Sequence, residues 1–210
     1  MIIVRNPNKG VYLKDDFKTI LTTKYDPYHN YGEPLLCWGC SIPNGVNTVL
    51  NNTSFGKISN KPVFRRLMEE SEVRIPKTYY VPEKIVFEGK KYIGRPSYHR
   101  SGQNLRVVFD QKSLEESVKL GDTYWSEYIP KDRELRVFVG FGRVWAQSEK
   151  FIEDKSQVAW NYEQGGHFDI LKWGDWSPRA CYMSLLASKV SGLVIGSFDL
   201  IHYENKWYML

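Results

Sequence analysis

A strand-like stretch near the middle of the chain, residues 124–150, carries charged side chains at intervals that could serve a ligand. Glu127 and Glu134 lie towards its start, and Lys150 lies at its end. The alternation after Glu134 and the glycine-containing turn at residues 140–142 predict a β-hairpin with carboxylates at its open end. Charged side chains are seldom set among apolar strand residues without a partner, such as the hydroxyls and phosphates of a nucleotide. The alternative is a solvent-exposed sheet edge guarded by charges.

A polar loop between two predicted strands, within residues 92–108, offers a second set of candidate groups. The first strand delivers Arg95, and the loop that follows contains Ser101, Gly102 and Gln103. A flexible polar loop of this kind can close over phosphates with backbone N–H groups and cations. Because it contains a single glycine, the pattern is weak evidence when taken alone.

A helix is predicted from Asn60 to about Ser71, because Asn60 is a favourable N-cap and Pro62 lies where a first-turn proline is tolerated. Its apolar face comprises Phe64, Leu67 and Met68. Lys61 at the start of the helix is unusual, since the helix dipole disfavours a cation there. A bound anion near that end would explain Lys61, and a solvated lysine is the alternative.

Asp199 lies inside the apolar run of residues 196–203, which predicts a strand that pairs with residues 207–210. A carboxylate within a central strand usually meets a metal ion or a cation. A helix is predicted before this strand, at about residues 178–190. We therefore treat Asp199 as a candidate ligand of a metal ion.

The remaining segments give weaker patterns. Residues 85–93 predict a hairpin around a turn at Glu88 and Gly89. Residues 113–120 predict a short helix that is capped by Ser113. Residues 151–176 are polar and aromatic, which is more typical of an active-site loop than of a packed element.

Composition limits the classes of protein that fit this chain. Its 210 residues, of which 42% are hydrophobic and 15% aromatic, suffice for one compound domain or two small ones. The formal net charge of +5 is spread along the chain, so it argues weakly for an anionic ligand such as a polyphosphate and only weakly for nucleic acid. No apolar run is long enough to cross a membrane, and the N-terminus lacks the apolar segment of a signal peptide.

The cysteines point to a reducing compartment, since there are three of them without the spacing of a disulfide framework. Cys37 and Cys40 form a C-x-x-C pair that follows a predicted strand, at residues 35–38, and enters a turn. Redox chemistry and metal binding are open for this pair, although packing is favoured because no second pair is present. We expect a cytoplasmic protein.

The order of these motifs resembles the ATP-grasp carboxylate–amine ligases, the superfamily of D-alanine–D-alanine ligase, glutathione synthetase and ribosomal-protein glutamate ligase. The matching parts are Asn-Lys opening a helix, I-P-K-T-Y-Y-V, an Arg-Pro between a strand and a loop, S-E-Y-I-x-x-x-x-E-x-R-V, a later E-K, and G-S-F-D-L-I. The resemblance implies an α+β fold in which two α+β subdomains with antiparallel sheets enclose the nucleotide. It divides the chain into a short N-terminal segment at residues 1–58, a small subdomain at 59–125 and a C-terminal subdomain at 126–210.

The resemblance also implies roles in ATP binding for the candidate residues. Backbone groups of Glu127, Tyr128 and Ile129 would pair with adenine, and Glu134 would bind the ribose hydroxyls. The groups implied for the phosphates are Lys61, Arg95 and the loop residues Ser101, Gly102 and Gln103. Most of the family has lysine at the place of Arg95, and arginine keeps the charge while adding bidentate geometry.

Arg136 and Lys150 would neutralise the transferred phosphate or the substrate carboxylate, and Asp199 would bind magnesium. The family has a Glu-x-Asn motif after its final strand, and the sequence ends at Leu210, immediately before that place. We therefore expect a chain that binds ATP and magnesium but transfers phosphate slowly, unless further residues follow Leu210.

The activity implied is transfer of the ATP γ-phosphate to a small-molecule or peptide carboxylate, followed by attack of an amine on the acylphosphate to form an amide. No side-chain nucleophile is needed, which fits the absence of a Ser–His–Asp or Cys–His pattern. Two alternatives remain open. One is an ATP-binding protein that has lost catalysis, and the other is a nucleic-acid-binding protein that uses basic and aromatic residues.

Overall fold

The structure is a computed structural model that describes residues 58, 60–98, 104–160 and 165–210 in full and, before them, the backbone of four short strands. These strands are β1 (Ile2–Arg5), β2 (Ile20–Thr22), β3 (Leu35–Trp38) and β4 (Val49–Leu50). They form a parallel sheet in the order β2-β1-β3-β4. The sequence predicted β3; the side chains of the C-x-x-C pair and the loop residues Ser101, Gly102 and Gln103 lie outside the described part.

Helix α1 (Lys61–Glu69) confirms the first predicted helix, although it ends two residues earlier. The Asn60 side chain accepts a hydrogen bond from the Val63 N–H at 3.3 Å, as expected of an N-cap. Phe64 and Met68 are buried, so the predicted apolar face does turn inward. The cap and the apolar spacing together account for the position of this helix.

A four-stranded antiparallel sheet follows, in the order β5-β8-β6-β7. Its strands are β5 (Thr78–Tyr79), β6 (Tyr92–Arg95), β7 (Arg106–Val108) and β8 (Tyr124–Glu127). Helix α2 (Gln111–Lys119) connects β7 to β8 and contributes Leu114 to the core of this sheet. The other buried residues of that core are Ile85, Tyr92, Val108 and Trp125.

Two predictions in this region were wrong. The strand expected before the Glu88–Gly89 turn does not form, because β6 pairs with β7 and β8 on its two sides and leaves no edge for it. Helix α2 starts earlier than predicted because Asp110 is the N-cap and Ser113 is the third helical residue of a capping box. The Asp110 carboxylate accepts from the Ser113 N–H at 2.7 Å.

A five-stranded antiparallel sheet forms the C-terminal part, in the order β11-β10-β9-β12-β13. Its strands are β9 (Arg133–Gly140), β10 (Arg143–Phe151), β11 (His167–Ile170), β12 (Ile195–Tyr203) and β13 (Lys206–Met209). The predicted central hairpin is confirmed, with Phe141 and Gly142 both at positive φ in its turn. The segment predicted as a polar loop instead contains the edge strand β11, whose residues are all exposed.

Helix α3 (Pro178–Ser191) confirms the helix predicted at about residues 178–190. It packs on one face of the five-stranded sheet. Buried side chains from α3, β9, β12 and β13 form the larger core of the molecule, and they are joined by Phe64 and Met68 of α1. The ring centroids of Phe64 and Phe198 lie 6.3 Å apart. The predicted boundary near residue 125 remains a prediction, since α1 packs with the C-terminal sheet although it precedes that boundary.

Candidate functional site

The antiparallel register places four charged side chains on one face of the five-stranded sheet. Glu134 is directly opposite Lys150, and Arg136 is directly opposite Asp199. Residues two apart on a strand share a face, so these four lie together. Leu135 between them faces the other way, into the core under α3. The hairpin therefore offers an apolar face to α3 and a charged face on its opposite side.

Glu134 is almost completely buried and accepts hydrogen bonds from two lysines, Lys131 and Lys150, one at each carboxylate oxygen. The Lys131 Nζ also donates to the Val158 carbonyl at 2.9 Å and lies 4.7 Å from the ring centroid of Trp160. Burial lowers the pKa of Lys131, while the charge of Glu134 acts in the opposite direction. Lys131 was not among the candidates predicted from the sequence, and its position three residues before Glu134 was the only signal available.

Asp199 is held by Arg136 and by Lys150, which also contacts Glu134. Arg136 donates to both of its oxygens, at 2.8 Å from Nε and 2.9 Å from Nη2, and the Lys150 Nζ lies 3.3 Å away. Burial would raise the pKa of Asp199, but the charges of Lys150 and Arg136 and their hydrogen bonds outweigh it and lower that pKa to about 2. Asp199 is therefore ionised at neutral pH.

Arg95 brings a further cation to this face from the four-stranded sheet. It ends β6, and its charge contributes to lowering the pKa of Lys131, after the larger effect of burial. Burial also lowers the pKa of Arg95 itself. Six side chains form what we call the cationic cluster, namely Arg95, Lys131, Arg136, Lys150, Glu134 and Asp199. Its four cations and two carboxylates give it a net charge of +2.

Lys61 lies close to the end of the strand that carries Arg95. The Lys61 backbone N–H donates to the Ser97 carbonyl at 3.1 Å, which fixes the start of α1 beside the exit of β6. The resemblance implied that Lys61 and Arg95 both hold the phosphates. The structure brings the chain segments that carry them together.

The predicted adenine-binding segment lies between the two antiparallel sheets, at the end of β8. The Glu127 N–H donates to the Lys77 carbonyl at 2.8 Å, and the Tyr128 N–H donates to the Lys91 carbonyl at 2.9 Å. Proline at position 130 has no N–H. Among the described residues, the Ile129 N–H has no protein partner, so it is the donor of this segment that remains for a ligand.

The Glu127 side chain and the Glu127 backbone have different partners. Its carboxylate forms an ion pair with the Lys90 Nζ at 3.0 Å. That hydrogen bond raises the pKa of Lys90. The structure therefore gives the Glu127 carboxylate a protein partner in the connection before β6.

A magnesium site made by protein groups alone is not present in the described ranges, where no three His, Cys, Asp or Glu side chains come together. Asp199 offers one ionised carboxylate. Magnesium prefers about six oxygen ligands and keeps waters when protein ligands are few. The residues fit a magnesium ion that arrives with nucleotide phosphates, and such an ion would replace Arg136 and Lys150 at the Asp199 oxygens.

No protein-family model matches this sequence, and no curated protein matches it. Solved structures do resemble it. The D-alanine–D-alanine ligase from Bacillus anthracis complexed with ATP has a TM-score of 0.65 at 11% identity, over 100% of this chain and 83% of that one. The ATP-grasp ligase PsnB complexed with minimal precursor, Mg and ADP has a TM-score of 0.58 at 18% identity.

The PsnB alignment covers 78% of this chain and 52% of PsnB, so this chain spans about half the length of that ligase. The macrocyclase MdnC bound with precursor peptide MdnA, from Microcystis aeruginosa MRC, has a TM-score of 0.54 at 15% identity, over 77% of this chain and 56% of MdnC. The chain has the α+β ATP-grasp fold, as the resemblance implied. None of the described helices combines the length and apolar character needed to cross a membrane.

Proposed function

We propose that this protein binds ATP between its two antiparallel sheets and uses it to join a carboxylate to an amine. The cationic cluster carries this proposal. It lies on the face of the five-stranded sheet that is turned away from the α3 core, and Arg95 reaches it from the other sheet. A site with a net charge of +2 attracts a polyanion, and the ATP-grasp fold makes ATP the best candidate.

For the nucleoside, Ile129 supplies the free backbone N–H and the carbonyl groups of Glu127 and Tyr128 supply acceptors for adenine. Glu134 accepts hydrogen bonds from the ribose hydroxyls. Since both of its oxygens already accept from lysines, the hydroxyls replace one of them. We expect the ribose hydroxyls to displace Lys131 from Glu134, because Lys131 lies in the connection before β9 whereas Lys150 lies within β10.

For the phosphates, Lys61, Arg95 and the loop residues Ser101, Gly102 and Gln103 provide the contacts. A carboxylate oxygen of the substrate bonds to the γ-phosphorus as the bond to the β-phosphate oxygen breaks, which gives an acylphosphate and ADP. The amine then attacks the acyl carbon, phosphate leaves and the nitrogen loses a proton. Arg136 and Lys150 neutralise the negative charge at these steps. Asp199 would hold a magnesium ion that arrives with the nucleotide, and such an ion would supply further charge neutralisation.

The carboxylate substrate is a small molecule or a peptide. PsnB and MdnC were each solved with a precursor peptide, which supports the peptide alternative. D-alanine–D-alanine ligase supports the small-molecule alternative. Release of phosphate from ATP in the presence of amino acids or peptides separates the two.

A second candidate is ATP binding without transfer. It is favoured by the contacts of Asp199, whose two oxygens accept from Arg136 while Lys150 stands 3.3 Å away. These cations compete with magnesium for the same carboxylate. A protein that binds ATP with magnesium but releases no phosphate with any carboxylate and amine would fit this candidate.

Calorimetric titration with ATP and adenosine tests the site. Arg95→Ala is expected to weaken ATP binding by about 1.5–3 kcal/mol, the value of a charged hydrogen bond, and to leave adenosine binding unchanged. Arg143→Ala is the matched control, because Arg143 is exposed at the far end of the hairpin. Equal binding of ATP by the wild type and Arg95→Ala would show that Arg95 does not contact phosphate.

A further inference from the structure

Arg65 on α1 is a buried arginine with an unused hydrogen-bond donor. Only 6% of its surface is exposed, and its guanidinium carbon lies 5.5 Å from the ring centroid of Tyr124. Within the described part of the chain, its Nη1 donates no hydrogen bond. Buried charged donors are normally partnered, because leaving one unsatisfied is costly.

The position of Arg65 is beside the groups proposed to hold phosphate. It is four residues after Lys61, so the two lie on the same face of α1. Tyr124, which Arg65 contacts, is directly opposite Arg95 in the pairing of β6 with β8 and shares its face of the sheet. Lys61, Arg65 and Arg95 therefore converge near the end of β6.

The charges around Arg95 also support an anion shared with Arg65. Burial lowers the pKa of Arg95, and the positive charge of Arg65 contributes to the same lowering. Two guanidinium groups that repel each other in a partly buried place are stabilised by an anion that contacts both. A phosphate group has the charge and the several acceptor oxygens for this arrangement.

Glu69, one turn further along α1, is an alternative partner. It interacts electrostatically with Arg65, but burial raises its pKa, and its carboxylate accepts a hydrogen bond from the Tyr80 hydroxyl at 3.4 Å. Among the described residues no ion pair joins Glu69 to Arg65. Glu69 therefore leaves the Nη1 donor of Arg65 unused.

We propose that Arg65 is a further phosphate-binding residue, whose Nη1 donates to an oxygen of the polyphosphate that Arg95 also contacts. This inference rests on the proposed binding of ATP. It adds a second residue of α1 to Lys61, the residue of this helix to which the resemblance gives a role. Arg65 then acts on the phosphate chain and not on the base or the ribose.

The test compares Arg65→Met with Arg66→Met, using ATP, adenosine and tripolyphosphate as three separate probes. Arg66 is the matched control, because it is exposed on the same helix and packs on Tyr80 instead, with its guanidinium carbon 4.4 Å from that ring. Arg65→Met is expected to weaken binding of ATP and tripolyphosphate about tenfold to a hundredfold. Adenosine binding should not change, and Arg66→Met should bind all three probes like the wild type.

The melting temperature without ligand separates this role from a structural one. Replacing a buried, unsatisfied charge with an apolar side chain of similar length should leave the melting temperature equal or higher. A lower melting temperature with unchanged tripolyphosphate binding would assign Arg65 to folding and overturn the inference. If Arg65→Met does not fold, Arg65→Lys decides, because it keeps the charge but loses the fork and must bind tripolyphosphate more weakly than the wild type.

The outcomes also distinguish this inference from the function on which it rests. If the wild type binds neither ATP nor tripolyphosphate, the proposed nucleotide site and the role of Arg65 both fall. If the wild type and Arg65→Met bind ATP equally well, only the role of Arg65 falls.

Discussion

Glu134 keeps two buried ammonium groups in place, and this has a measurable consequence for stability. The side chains of Lys131 and Lys150 are 9% and 1% exposed. Among the described residues, Glu134 is the carboxylate that Lys131 pairs with, and Lys150 would keep only Asp199 at 3.3 Å. Glu134→Gln therefore leaves the buried Lys131 charge without a counter-ion and should lower the free energy of unfolding by about 3 kcal/mol. Urea denaturation measures this loss.

The control for that variant is Glu149→Gln on the neighbouring strand. Glu149 forms a bidentate ion pair with Arg133 at 2.8 Å, but the Arg133 side chain is 42% exposed. Solvent screening limits the expected loss to less than about 1 kcal/mol. Similar losses in the two variants would contradict the importance given to the buried pair.

Asp199 predicts a particular dependence of stability on pH. Its pKa is about 2 in the folded protein, below the ordinary value of 3.8. A lowered folded-state pKa stabilises the protein fully above the unfolded pKa, and this stabilisation is lost as pH falls through the folded pKa. The difference in unfolding free energy between the wild type and Asp199→Asn should therefore be constant above about pH 5 and shrink between about pH 4 and pH 2.

Urea denaturation at several pH values measures this difference, with Asp169→Asn as an exposed control on the same sheet. The Asp169 difference should be small throughout. A wild-type advantage over Asp199→Asn that persists undiminished to pH 2 would show that the carboxylate is not held by Arg136 and Lys150.

Residue types and spacing predicted part of the site. Glu134, Lys150 and Asp199 were chosen from the residue pattern and Arg136 from the resemblance, and the strand register brings the four onto one face. Arg65 was missed because nothing local distinguishes a buried arginine from an exposed one on a helix with several charges. Whether the selected residues bind ATP is still a prediction.

At the scale of elements, we expect that a substitution in the turn between β9 and β10 can stabilise the protein. Phe141 is 52% exposed and has φ 50°, and Gly142 follows at φ 73°, as in the mirror-image turns favoured in two-residue hairpins. Asparagine tolerates this conformation better than phenylalanine. Phe141→Asn should raise stability by about 0.5–1 kcal/mol, seen as a higher melting temperature.

Gly142→Ala tests the same conformation in the opposite direction. Alanine is strained at positive φ, so it should lower stability by about 1 kcal/mol. The turn is far along the strands from Glu134 and Asp199, so neither variant should change ATP binding. Two variants that shift the melting temperature in the same direction would contradict the assigned turn.

Elements were predictable where local signals and long-range packing agreed. The central hairpin has a glycine turn and apolar residues on its core-facing side, and α1 has a cap followed by an apolar face. The strand expected at residues 85–87 does not form, because β6 pairs with β7 on one side and with β8 on the other. The sequence alone does not say which of several neighbours a strand will pair with.

At the scale of the whole molecule, the described residues form two cores, and α1 belongs to the larger one. Met68 is fully buried there with residues of β9, β12 and α3. Met68→Ala should cost about 2–5 kcal/mol. Hydrogen exchange should then show lost amide protection in the five-stranded sheet, with protection retained in β6 and β8.

Leu114→Ala provides the reciprocal measurement, because Leu114 is buried in the core of the four-stranded sheet. It should reduce protection in β6 and β8 first. Identical exchange patterns in the two variants would mean that the cores open as one unit. The order of motifs predicted the fold, but the assignment of α1 to the larger core depends on contacts such as Phe64 with Phe198, which are far apart in the sequence.

The contact between Lys131 and Trp160 gives the protein an optical reporter. Trp160 is 2% exposed, and the ammonium lies 4.7 Å from its ring centroid. A positive charge held against an indole shifts the energy of its excited state, so the fluorescence of Trp160 depends on where Lys131 is. If ribose hydroxyls displace Lys131 from Glu134, the emission will follow occupancy by adenosine as well as by ATP. The chain contains seven tryptophans. The contribution of Trp160 is therefore the part of the fluorescence change that is absent in Trp160→Phe.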